Sequence, residues 1–113
     1  MAEARLRSRL RVQAAMRACE SRGLMATVAR HGDDDAGAIL IKQNLREAGF
    51  RVLAEARDNS GERAWIAGTG PTPVAEAAAD AYIARQVGRD SDLWVVEIED
   101  AKGWLPFTEK LLE

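Results

Sequence analysis

The sequence has one cysteine, Cys19, and one histidine, His31, and each scarcity removes a class of chemistry. A lone thiol closes no internal disulfide, which agrees with a reducing compartment. Thiol catalysis also wants a histidine beside the sulfur, and His31 stands in a different segment from Cys19. No Ser-His-Asp set, HExxH helix or full phosphate-cradle motif occurs. GTGPTP (68–73) keeps only Gly68-Thr69-Gly70, and it leads into a stretch whose Glu76 repels phosphate. No apolar run approaches the ~20 residues that cross a bilayer, so no membrane contact is expected. The opening MAEARLRSRLRVQ lacks the apolar centre of a secretory signal, which makes the cytoplasm the expected location. Aromatic residues are only 5% of the chain. Trp65, Trp94 and Trp104 are therefore expected as core or interface anchors, because a base-stacking platform would also need a basic groove.

What is present is globular in character: 113 residues, 47% apolar and 30% charged, enough for one core. A single domain over residues 1–113 is expected, with 101–113 as a peripheral tail. Net charge is only -2 but is unevenly spread, since residues 1–30 carry seven Arg against Glu3 and Glu20 while the remainder is acidic. The acidic body argues against nucleic acid as a partner for Arg5, Arg7, Arg9 and Arg11. A basic segment packed on its own acidic domain, or on another copy of it, explains the asymmetry better.

Val12, Ala15, Met16 and Cys19 recur at helical spacing from about Ser8 to Arg22, and Gly23 supplies a stop. Arg5 to Gln13 also alternate, which leaves a short strand before the helix open. LMATVARH (24–31) and AILIKQ (38–43) read as two antiparallel strands joined by a hairpin loop. FRVLAEAR (50–57) and ERAWIAG (62–68) form a second hairpin across Asp58-Asn59-Ser60-Gly61, and NLREAGF leaves room for a helical turn ahead of it. Thr72 and Pro73 are placed to open an alanine-rich helix that runs to about Val87 and stops at Gly88. LWVVEIE (93–99) is the strongest strand signal. The sum is an α+β fold: an antiparallel sheet of about five strands with two helices packed on one face.

Two acidic segments are candidates for chemistry. HGDDDAG (31–37) offers Asp33, Asp34 and Asp35, and WVVEIED (94–100) places Glu97 and Glu99 on one strand face near Asp100. Hard cations such as Mg²⁺, Mn²⁺ or Ca²⁺ want converging carboxylates, and His31 would serve there as base or ligand. Against this, three consecutive aspartates cannot all converge from an extended chain, and the spacing fails the EF-hand loop. Aspartate also favours turns by accepting backbone N–H bonds. The turn reading, with Gly32 and Gly37 at positive φ, outweighs a metal site, and alternation alone accounts for Glu97 and Glu99.

GDDDAGAILIK (32–42) together with DSDLWVVEIED (90–100) resembles a family of small uncharacterised bacterial proteins, defined as a domain of unknown function, in which G-D-x-D-A-G-A and D-x-D-L-W-V-x-E-I-E-D recur. The resemblance spans about Leu10 to Asp100, apart from about Asn44 to Pro73. It implies a bacterial cytoplasmic setting and no mechanism.

These readings favour a binding or adaptor module that acts through surface contacts, as a homo-oligomer or with a protein partner. His31, Asp33, Asp35, Glu97, Glu99 and Asp100 are its candidate binding residues, and Arg5, Arg9, Trp104 and Phe107 its candidate interface. No catalytic residue and no cofactor is assigned. The rival is a hydrolase dependent on Mg²⁺, Mn²⁺ or Ca²⁺ held between the two acidic segments.

Overall fold

In the computed structural model, which describes residues 7–112, helix α1 (Ser8–Ser21) buries the stripe Val12, Ala15 and Cys19 that its spacing predicts. Its end is a Schellman motif: the Leu24 amide reaches the Cys19 carbonyl and the Gly23 amide the Glu20 carbonyl, with Gly23 at φ 70°. Strands β1 (Met25–Arg30), β2 (Ile39–Asn44), β3 (Phe50–Arg57) and β4 (Arg63–Ala67) follow, then helix α2 (Glu76–Arg89) and strands β5 (Trp94–Glu99) and β6 (Lys110–Leu112).

The sheet runs β1-β5-β2-β3-β4-β6, which corrects the expected first hairpin. β1 and β2 do not pair with each other; β5 lies between them, antiparallel to β1 and parallel to β2. The physical reason is burial. Ile39 to Gln43 are buried on both faces of the sheet, as are Trp94, Val95 and Val96, and strands apolar on both faces belong at the centre. β1, mostly exposed, falls to the edge. The sheet is therefore mixed and six-stranded, not antiparallel with five strands.

The helices also lie on opposite faces rather than on one. Ile39 and Ile41 pack in the cluster that holds Val12 and Cys19 of α1, whereas Leu40, between them in sequence, packs with Ala79 of α2. A sheet whose central strand is apolar on both sides needs a helix on each.

The second hairpin forms as expected, β3 against β4. Asp58 holds its turn: Oδ1 accepts bonds from the Ser60 hydroxyl and from the Ser60 and Glu62 amides. The predicted helical turn is a short 3-10 segment, Arg46–Ala48. The start of α2 departs from expectation, because Ala75 and not Thr72 precedes it. Val74 is drawn into a two-bond bridge with Phe50, 2.7 and 2.8 Å, and the chain stays extended until that bridge ends. Gly88 lies inside the helix, which continues to Arg89. After Asp100 the chain crosses the α1 face, packing Trp104, Leu105, Phe107 and Leu111 on the core, and adds β6 in parallel to β4. Among the described residues no helix is long and apolar enough to cross a membrane.

Candidate functional site

HGDDDAG is a turn with a load on every group. The Asp33 carboxylate accepts the Asp35 and Ala36 amides, an Asx turn. The carbonyls of Asp34 and Asp35 receive the Arg9 and Ser8 amides at 3.0 and 3.2 Å, so the loop backbone caps α1 in place of the missing side-chain cap. The Ser8 hydroxyl donates to the Gly37 carbonyl. On the other side the Asp33 amide donates to the Asp92 carbonyl, and the Trp94 indole donates to the Asp33 carbonyl. Gly32 and Gly37 are not at positive φ as expected. They are needed instead because a Cβ on either would collide with the Asp92 carbonyl oxygen.

The candidate residues of the two acidic segments are each engaged within the chain. The His31 ring lies 4.0 Å from that of Trp94, and its Nε2 is 2.7 Å from Oδ1 of Asp34. Asp35 faces Arg7 at 3.5 Å. Glu97 faces Lys42 at 3.6 Å and Glu99 faces Arg46 at 3.3 Å. Asp100 accepts the Trp104 amide. The segments do not meet. Asp33 is bonded at the start of β5, and a strand rise of about 3.3 Å per residue puts Glu97 roughly 10 Å and Glu99 roughly 16 Å farther along. Among the described residues no group of three or more His, Cys, Asp or Glu is placed to hold a metal ion. β5 does neighbour both strands that flank the aspartates, but the loop meets it at its Trp94 end, away from Glu97 and Glu99.

Of the candidate interface residues, Arg9 is exposed, and Arg5 lies outside the described residues. Trp104 sits beneath the Arg22 guanidinium at 4.3 Å, and Phe107 lies between Trp65 at 5.1 Å and Arg11 at 5.7 Å.

Sequence reasoning missed two buried cations. The Lys42 side chain is 8% exposed, with Nζ 2.8 Å from both Glu76 and Asp80 of α2 and with Phe50 beneath it. Burial pulls its pKa down, but the hydrogen bonds to Asp80 and Glu76 and the charge of Glu97 outweigh that and leave it above the ordinary lysine value. Arg11, 9% exposed, pairs with Glu55 at 2.8 Å, and Glu55 also accepts the Ile39 amide. The signal for Lys42 was a single charge inside AILIKQ, a run otherwise fit for burial on both faces. Ser8, Arg11, Gly37 and Glu55 line a cleft of about 350 Å³ where α1 begins.

Burial raises the Cys19 thiol above its ordinary value, so the thiol stays protonated at neutral pH. What the surface offers is the outer edge of β1, where Met25 is 72% and Val28 37% exposed.

A family model described as a protein of unknown function, DUF1491, matches residues 6–108. A crystal structure at 1.87 Å resolution of a DUF1491 family protein from Caulobacter crescentus CB15 is similar with a TM-score of 0.84 and 40% identity, covering 96% of this chain and 100% of that one. An NMR structure of a DUF1491 family protein from Caulobacter crescentus CB15 gives the same TM-score and identity over 98% of this chain and 100% of that one. The solution structure of a protein from A. tumefaciens has a TM-score of 0.72 and 30% identity, covering 94% of this chain and 97% of that chain. No curated protein matches. With the family model spanning nearly the whole described fold, this chain belongs to the DUF1491 family of proteins of unknown function.

Proposed function

We propose that the protein is a cytoplasmic binding module that works through surface contacts, and that its partner at the β1 edge is a second copy of itself. The observation that carries this is the state of β1. It is six residues long, lies at the sheet's edge, and exposes Met25, Thr27, Val28 and Ala29. Edge strands are ordinarily blunted by lysine, proline, bulges or shortness. β1 has a register shift between Val28 and Arg30 but neither lysine nor proline, whereas the opposite edge, β6, has three residues and begins on Lys110.

Antiparallel pairing of two β1 strands about a two-fold axis satisfies the unpaired backbone groups of both copies by one self-complementary contact. Charge suits this arrangement. Arg30 is the single charged residue of MATVAR and stands at its end, so it meets the Met25 end of the other copy, where Glu99 lies one strand inward. The test is light scattering on size-exclusion fractions at tens of micromolar protein. A dimer that becomes monomeric in Val28→Lys is the expected result; a clean monomer for the unaltered chain, independent of salt, overturns the reading.

A further inference from the structure

We propose that residues 104–112 act as a strap that opens as one unit from the α1 face, baring Trp65 and the outer edge of β4 while β1 to β5 remain paired. Trp65 is 0% exposed, yet none of the strap residues above it is itself fully buried. Its cover is Phe107, ring to ring at 5.1 Å, and Leu111, its neighbour in the β4–β6 register. Trp104 and Leu105 also rest on the core without being fully buried, and the strap's pairing with the sheet is short. β6 joins the sheet by three residues in parallel register, the less stable mode per residue.

The polar groups under the strap are poorly matched. Arg11 Nη2 and Glu109 Oε1 face each other at 3.7 Å, and neither makes a hydrogen bond; nor does the buried Trp65 Nε1. A buried polar group left without a hydrogen bond raises the free energy of the closed state and so lowers the cost of opening it. Polar ties among the described residues include the Arg22 and Arg11 guanidiniums over Trp104 and Phe107, one at each end of α1, the Trp104 amide on Asp100, and an exposed Lys110–Asp58 pair at 3.2 Å. Exposed pairs of this kind hold weakly. Closed, the strap denies β4 to any other strand. Open, it turns the far side of the sheet into a second pairing edge.

Hydrogen exchange by NMR on the full chain decides the matter. Once each rate is divided into that group's own unprotected rate, the Trp104 and hydrogen-bonded β6 amides and the Trp65 indole N–H are expected to share one protection factor, about 100-fold below that of the amides of Ile41, Leu53 and Val96, as a cooperative sub-global opening gives. Phe107→Ala is expected to lower that shared protection without changing the protection in β2, β3 and β5. Rates graded from Leu112 inward, with Trp104 and Trp65 protected like the sheet, would indicate end-fraying and overturn the proposal. Uniform protection of the strap and sheet overturns it equally, and the unaltered chain alone gives either answer if the variant does not fold.

Discussion

The indole Nε1 of Trp94 donates to the backbone carbonyl of Asp33 at 2.7 Å, and that bond fixes the acidic loop to the first residue of β5. Through the Asp34 and Asp35 carbonyls the same loop receives the first amides of α1. One short stretch thus aligns a helix with the strand that separates β1 from β2. The Asp33 carboxylate and the Asp34 and Asp35 carbonyls all bind folded backbone.

If so, Trp94→Phe keeps most of the buried ring and loses the bond, and is expected to destabilise by about 1–3 kcal/mol. His31→Ala removes a largely exposed ring, its pairing with Asp34 and its contact with the Trp94 ring, and should cost no more than about 1 kcal/mol. Urea denaturation midpoints of the two variants would test the ranking. A His31 variant as damaged as the Trp94 variant would mean that the loop is held through its side chains and not through its backbone.

Arg11 and Glu55 allow a second test. Both are largely buried and 2.8 Å apart, so removing Glu55 leaves the Arg11 guanidinium only the more distant Glu109 at 3.7 Å. Glu55→Leu is expected to cost about 3 kcal/mol or more, and the double change with Arg11→Met less than the sum of the two single costs. A double-mutant cycle in urea measures the coupling directly; additive costs would show that the pair is not acting as a pair.

Much of this fold was legible wherever a feature depends on near neighbours. Gly23 ends α1 because a left-handed residue closes two bonds within six residues, and Asp58-Asn59-Ser60-Gly61 makes a turn from its own side chain. Strand order was not legible. That LWVVEIE inserts between the two strands flanking HGDDDAG depends on competition among all the strands for the doubly buried centre, which no local pattern records. Val74 shows the same limit, since a bridge to Phe50 overrode the cap signal of Thr72-Pro73. The surroundings of the candidate residues were hidden for a related reason. Alternation placed Glu97 and Glu99 correctly on one face, but their partners Lys42 and Arg46 arrive from β2 and the turn after it.

The turn at Asp58 predicts a pH dependence. The Ser60 hydroxyl, the Glu62 amide, the Ser60 amide and Lys110 hold its carboxylate well below the usual aspartate range against the opposing effect of burial. A depressed folded value contributes stability above the unfolded pKa, about 3.9, and loses it as pH falls toward the folded value. The stability difference between the unaltered chain and Asp58→Asn is therefore expected to be constant above about pH 5 and to shrink below about pH 4. Urea denaturation from pH 3 to pH 7 supplies the check; a difference that stays flat across that range assigns the acid sensitivity to other carboxylates.

Metal addition is the remaining test, and geometry sets its outcome. A direct cation ligand must lie within about 2.6 Å of the ion, whereas Glu97 stands about 10 Å along β5 from Trp94, where the Asp33 loop is bonded. Recruiting Glu97 or Glu99 alone would first break its pairing with Lys42 or Arg46, and recruiting Asp33 would release the two amides that shape the loop. Titration of isotope-labelled protein with Mg²⁺, Mn²⁺ and Ca²⁺ to sub-millimolar concentration is therefore expected to give no saturable amide response shared by residues 31–37 and 97–100. A shared response would require β5 to bring its two ends together, and with that the strand pairing that places Asp33 beside Trp94 would have to be abandoned.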